Sequence, residues 1–187
     1  MRRGFILLVS AMAIAGCSRQ AGNEPPPGAA NVTGKPFKLP PDPFGWPMVD
    51  RSGKQVGMVS TRLDGQKVAV TLEVLGLPPG VHGVHLHQTA KCEPPAFASA
   101  GGHWNWTNKK HGHKNPQGFH AGDLGNLTVG PDGKAQATFT VAPGNWDPKH
   151  VGGLPIIIHA AADDEMTDPS GNSGDRIACG ILYLRRD

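Results

Sequence analysis

The sequence predicts an all-β domain of eight short strands interrupted by two long loops. Three observations lead there. Glycine (26) and proline (18) are abundant in 187 residues while aromatic residues make up only 6%, a balance that favours turns and strands over helices. Short runs rich in β-branched residues recur. The clearest, Lys67-Val68-Ala69-Val70-Thr71-Leu72-Glu73-Val74, alternates as a half-buried strand should. Turn signals separate the runs, strongest at Gly130-Pro131-Asp132-Gly133. The length suits one domain with a real core.

Taken in order, a first strand is expected near Trp46–Val49, a second over Gln55–Arg62 and a third over Lys67–Leu75, these two joined by the turn Leu63-Asp64-Gly65. A fourth spans Val81–Gln88. After the long loop Thr89–Gly122 come Asp123–Val129 and Lys134–Val141, joined by the Gly130–Gly133 turn. Leu154–His159 is the seventh. A second long loop, Ala160–Asp175, leads to the eighth at Arg176–Leu184. Loops of that length inside a compact domain are usually functional.

The N-terminus reads as an export signal. Arg2-Arg3 precede an apolar stretch from Phe5 to Ile14, followed by Ala15-Gly16-Cys17. The stretch is too short for a mature transmembrane helix. Ile14-Ala15-Gly16-Cys17 resembles a bacterial lipobox, so residues 1–17 are expected to be a lipoprotein signal ending at an acylated Cys17; an ordinary signal peptide containing a cysteine is the alternative. Ser18 after that cysteine favours, by the same resemblance, sorting to the outer membrane. Residues 18–44 carry Pro25-Pro26-Pro27 and Pro36, Pro40, Pro41 and Pro43 without a hydrophobic period, and read as a disordered spacer before a domain at 45–187. Removing Arg2 and Arg3 leaves 16 basic against 15 acidic residues, a net +1. With no basic stripe interleaved with aromatics, no nucleic-acid partner is expected. With Cys17 given to lipid, Cys92 and Cys179 form an even pair in an oxidising compartment and read as a disulfide, two free thiols being the alternative.

Six of the nine histidines fall into one pattern. In Gly83-Val84-His85-Leu86-His87 the two imidazoles share one face of a strand, ~6.6 Å apart along its axis, while Val84 and Leu86 face a core. His103, His111, His120 and Asp123 lie in or at the end of the first long loop, a donor set suited to tetrahedral zinc. Solvated surface histidines are the alternative. His159 ends the apolar strand Leu154-Pro155-Ile156-Ile157-Ile158, where an imidazole needs a partner.

These residues resemble the copper,zinc superoxide dismutase family. Gly80-Val81-His82-Gly83-Val84-His85-Leu86-His87 looks like its first copper motif. Gly102-His103-Trp104-Asn105, Lys110-His111-Gly112 and His120-Ala121-Gly122-Asp123-Leu124-Gly125-Asn126 resemble its zinc loop, with steps of eight, nine and three residues between ligands. Gly171-Asn172-Ser173-Gly174-Asp175-Arg176-Ile177-Ala178-Cys179-Gly180 resembles its C-terminal signature. The resemblance covers roughly residues 46–185. It implies an eight-stranded antiparallel Greek-key β-barrel, of the immunoglobulin-like sandwich architecture. Trp104-Asn105-Trp106 departs from the family, which often has a proline there.

Carried over residue by residue, the resemblance implies copper on His85, His87, His103 and His159, and zinc on His103, His111, His120 and Asp123. His103 belongs to both sets, and bridging two cations requires loss of its ring proton. The implied reaction dismutes superoxide to oxygen and hydrogen peroxide on the redox copper, with Arg176 docking the anion. An ion pair of Arg176 with Asp175 is the alternative. Asp163 matches the family's carboxylate that bonds histidines from both metal sites. His82, of opposite strand parity, should not face the same metal, and the resemblance implies a structural role for it; His113 and His150 match no ligand position and read as solvated.

The second long loop carries Asp163, Asp164, Glu165, Asp168 and Asp175 with no lysine before Arg176, so an attracting field is expected from Lys91, or from Lys109, Lys110 and Lys114. The place expected is the bacterial cell envelope, lipid-anchored and facing the periplasm or the cell surface, where the activity protects against superoxide. A non-enzymatic periplasmic copper- or zinc-binding module is the alternative function. A homodimer is one candidate assembly, with Trp46 and Trp146 as candidate contacts, core packing or plain surface placement explaining each as well.

Overall fold

A computed structural model describes residues 45–65, 67–141 and 153–183. The expected signal, spacer and Cys17, together with Trp146 and His150, lie outside them. Eight strands form, as the sequence predicts: β1 (Trp46–Asp50), β2 (Gln55–Asp64), β3 (Lys67–Leu75), β4 (Gly80–Leu86), β5 (Asp123–Val129), β6 (Lys134–Val141), β7 (Leu154–His159) and β8 (Arg176–Leu182). All pair antiparallel in the order β5-β4-β7-β8-β1-β2-β3-β6, and β5 packs against β6 so that the sheet nearly closes into a barrel. Non-sequential neighbours such as β3 with β6 and β4 with β7 give the Greek-key crossing.

Side-chain alternation decides what the barrel encloses. On β3, Val68, Val70, Leu72 and Val74 point inward, and on β6 Ala135, Ala137, Phe139 and Val141 face them. Met48, Val59, Val84, Leu86, Leu127, Leu154, Ile156 and Ile158 fill the same core. Trp46 packs against this core and lies 5.6 Å from Tyr183, so it is partly buried within the chain.

Several boundaries differ from the sequence expectation: β1 ends at Asp50, β4 starts at Gly80 and β8 ends at Leu182, and two differences are larger or bear on the site. β2 runs two residues further, to Asp64, because the hairpin turn is tighter. β4 stops at Leu86, since the returning loop takes its edge there: Trp104 N–H donates to Leu86 O (2.8 Å), and His87 pairs with His103 as a single bridge. The first long loop also contains a short 3₁₀ turn, Ala98–Ala100. Phe97 precedes that turn and is fully buried with Ala100, Ile157 and Cys179, forming a second small core beneath the loop. The Cys92–Cys179 disulfide ties this loop to β8, with Cα atoms 5.7 Å apart.

Candidate metal centre

The site grows from the ends of β5, β4, β7 and β8, and two β-bulges aim it. Pairing of β4 with β5 shifts register between Val84 and His85, placing His85 opposite Asp123. Pairing of β7 with β8 shifts between Ile158 and His159, placing His159 opposite Arg176. A bulge bends its strand and re-aims the next side chain; here each of those side chains is an imidazole. Glycine at 83 lets the second long loop descend onto β4, since a Cβ there would stand 2.9 Å from the Ser173 Cβ.

His85, His87, His103 and His159 converge, with donor atoms within 4.8 Å of one another. Among the described residues, four buried side-chain nitrogens have no hydrogen-bond partner: His85 Nδ1, His87 Nε2, His103 Nε2 and His159 Nε2. The opposite nitrogen of each ring is engaged. His85 Nε2 lies 2.8 Å from Asp163 Oδ2, His87 Nδ1 2.9 Å from Gly101 O and His159 Nδ1 3.0 Å from Gly174 O. These oxygens accept, so the N–H sits on the engaged nitrogen and the lone pair on the unpartnered one. A buried polar atom left unpaired is costly. Four together, all with lone pairs free, fit one metal ion.

The fourth ring, His103, engages its Nδ1 differently. His103 Nδ1 and His111 Nδ1 each lie 3.0 Å from Asp123 Oδ1, and His120 Nδ1 lies 3.3 Å from that oxygen and 3.3 Å from His103 Nδ1. Tetrahedral ligands at ~2.0 Å from zinc stand ~3.3 Å apart, so these separations fit a single zinc ion. His85 also lies within reach of His103, His111 and Asp123, but its Nε2 is taken by Asp163, and His120 Nδ1 is placed where it could complete that set. Asp123 Oδ2 accepts from Gly112 N (2.9 Å) and His120 N (3.0 Å), which holds the carboxylate still.

Burial keeps most of these rings neutral. Desolvation pushes His85 down to about 3, His87 to about 2 and His159 to about 4, and lowers His103 as well. Burial works against a charged His111 too, but hydrogen bonds to Asp123 and Asp163 outweigh it and raise this ring to about 9. Both carboxylates are buried, which alone would raise them, yet their histidine partners hold them below the usual range. Asp163 spans the two groups: Oδ2 reaches His85 and Oδ1 lies 2.9 Å from His111 Nε2.

Arg176 donates through Nη1 to Phe97 O and through Nη2 to Gly101 O, both at 2.6 Å. It borders a cavity of about 470 Å³ walled by Ala96, Ala98, Gly101, Gly102, Gly174 and Asp175. Asp175 pairs instead with Arg51, at 3.1 Å. His82 stands apart from both ligand groups, its ring between His159 O (2.8 Å) and Pro78 O (2.9 Å). His113 is exposed and stacks on Phe119, 4.1 Å between centroids.

Some residues of the site have no local signature in the sequence. The Phe97 and Gly101 carbonyls hold Arg176, and no residue type marks a backbone carbonyl for that role. Two of the four lysines expected to attract anions are tied to the acidic loop: Lys110 to Asp168 at 3.1 Å and Lys114 to Glu165 at 2.8 Å. Asp168 also accepts from His111 N (2.8 Å), while a Cβ at Gly112 would overlap the Glu165 carbonyl, so the two long loops are clasped together.

The family model described as copper/zinc superoxide dismutase (SODC) matches residues 55–182. The superoxide dismutase-like protein YojM of Bacillus subtilis is 38% identical over 95% of this chain and 94% of its own. Superoxide dismutase (Cu-Zn) 1 of Aquifex aeolicus is 37% identical over 72% of this chain and 84% of its own. The crystal structure of a SOD-like protein from Bacillus subtilis superposes with a TM-score of 0.69 at 39% identity, covering 75% of this chain and 98% of that one. With its eight-stranded barrel and its paired histidine groups, this chain belongs to the copper/zinc superoxide dismutase family.

Proposed function

We propose that the chain dismutes superoxide to oxygen and hydrogen peroxide, with copper held by His85 Nδ1, His87 Nε2, His103 Nε2 and His159 Nε2, and zinc by His103 Nδ1, His111 Nδ1, His120 Nδ1 and Asp123 Oδ1. The observation that carries this is the set of four unpartnered nitrogens, one of them on a ring whose other nitrogen belongs to the second group. Copper held there would supply the one-electron couple that two successive superoxide ions need, and zinc held by the second group would place a fixed charge beside the His103 ring. His103 Nε2 is the atom where a proton is taken up and returned as the site's electron count changes. Arg176 positions the substrate. Two of its five N–H groups are committed to carbonyls, which fixes the guanidinium plane and leaves three for a small anion in the cavity. Walls of alanine and glycine leave room for the anion beside it.

We also place the protein in the bacterial envelope, as a defence against superoxide there. The positive N-terminal region, the lipobox-like run ending at Cys17 and the disulfide support this. Mass measurement of the mature N-terminus tests the anchor: a diacylglyceryl Cys17 is expected, and an unmodified N-terminus elsewhere refutes it.

The activity is tested by loading the domain with copper and zinc and following superoxide decay by pulse radiolysis. Catalytic decay is expected, and His103→Ala should lower it while disturbing both metals. Stoichiometric binding of both metals without turnover would instead make the chain a metal-binding module. Loss of only one metal in the variant would refute the shared imidazole.

A further inference from the structure

The acidic second loop and the two clasped lysines leave open what draws an anion towards Arg176. Lys110 and Lys114 are neutralised by Asp168 and Glu165. Lys91 and Glu93 flank Cys92 with opposite charges, and Lys109 Nζ lies 6.0 Å from the centroid of the Phe119 ring. Asp175, the one carboxylate bordering the Arg176 cavity among the described residues, would by itself cancel the charge of its neighbour.

A residue remote in sequence answers it. Strand β1 pairs with β8 with Asp50 opposite Ala178, so the turn after β1 sits beside the start of β8. That turn is tightly built. Asp50 Oδ1 accepts from Ser52 N (2.8 Å), Ser52 Oγ (2.6 Å) and Lys54 N (3.1 Å); Asp50 N donates to Lys54 O (2.9 Å), and Gly53 takes φ +82°. Arg51 projects from it and places Nη1 3.1 Å from Asp175 Oδ2. An exposed pair of this kind adds little stability, but its charge is still felt at the mouth of the cavity. The walls next to it are alanine and glycine, and supply no charge of their own.

We propose that Arg51 is a substrate-attracting residue: by occupying Asp175 it leaves the positive charge of Arg176 uncancelled towards incoming superoxide. This rests on the dismutase reading above. The role is exerted through charge and not through contact, so it should be visible as a charge count. Arg51→Gln removes one positive charge, Asp175→Asn one negative charge, and the double variant restores the sum.

The test uses the copper- and zinc-loaded protein and two readouts, the second-order rate of superoxide decay and the affinity for azide by optical titration. At an ionic strength of about 10 mM, Arg51→Gln should lower the rate and weaken azide about two- to threefold, and Asp175→Asn should raise both. The double variant should return close to wild type. The differences should vanish at about 1 M salt, where the screening length is about 3 Å, with metal content unchanged throughout. An Arg51→Gln effect that is absent, persists equally at high salt, or is not reversed by Asp175→Asn overturns the proposal. If the wild-type protein does not turn superoxide over, the dismutase reading fails instead, and the azide series still decides the role of Arg51.

Discussion

Asp163→Asn isolates how the two metal groups depend on one buried carboxylate. The asparagine keeps the shape but offers one acceptor where there were two. Asp163 Oδ1 already accepts from Glu165 N at 2.6 Å and faces His111 Nε2, so the amide oxygen will stay on that side. The NH₂ then replaces Oδ2 and confronts His85 Nε2. Two donors cannot share that contact. His85 must move its proton to Nδ1, the nitrogen aimed at the proposed copper, and lose its lone pair there. On the other side, His111 loses the negative charge that helps hold its Nε2 proton and sustain its basicity. Loss of such an outer partner typically costs 10–100-fold in metal affinity, or about 1.4–2.7 kcal/mol. Competition against chelators of known affinity should show both metals weakened by about that much, while circular dichroism of the disulfide-bonded apo-protein stays that of the wild type. Unchanged affinity for either metal would refute the idea that Asp163 governs both.

Three further outcomes follow from the same structure. Phe97→Ala opens the small core under the first loop and should destabilise by about 3–5 kcal/mol in urea melts; because the Phe97 carbonyl holds Arg176, superoxide turnover should fall as well, and a stable variant with full activity would separate the two roles. Replacing Cys92 and Cys179 by serine frees a loop with a sequence separation of 87 residues, for which chain entropy gives about 4–5 kcal/mol; an unchanged urea midpoint would count against that figure. In the metal-free protein, His85, His87 and His159 stay neutral far below the unfolded value of about 6.5. The unfolded chain therefore binds more protons as pH falls from 6.5, and stability present above it is lost at about 2 kcal/mol per ring by pH 5 for rings titrating independently. His111, raised to about 9, acts oppositely and loses its contribution between pH 6.5 and 9. Thermal melts should thus peak near neutrality, and a flat profile from pH 7 to 5 would refute the assignment of neutral buried rings.

The parts of this structure that could be read in the sequence are those carried by local period. The alternation of Val68, Val70, Leu72 and Val74 specifies the inward face of β3 wherever that strand pairs, and the core confirms it. What the period cannot show is where it breaks. The bulges before His85 and His159 skip Leu124 and Ile177 on the partner strands, and nothing in either run marks an extra residue. Charge is similar: Lys110, Lys114, Asp168 and Glu165 are visible in sequence, but their mutual neutralisation depends on two loops meeting over Gly112.

The metal groups divide in the same way. His-x-His spacing sets two rings on one side of a strand, which is a local fact. Whether a ring offers Nδ1 or Nε2 is decided by the oxygen at its other end, and those oxygens are distant in sequence. Asp163 is 78 residues from His85, Gly101 is 14 from His87 and Gly174 is 15 from His159. His85 offers Nδ1 while His87, two residues on, offers Nε2, although both belong to one motif. A sequence pattern can therefore name the candidate ligands, but only the folded chain selects the donor atoms. That selection lets a single ring, His103, face one group with each nitrogen.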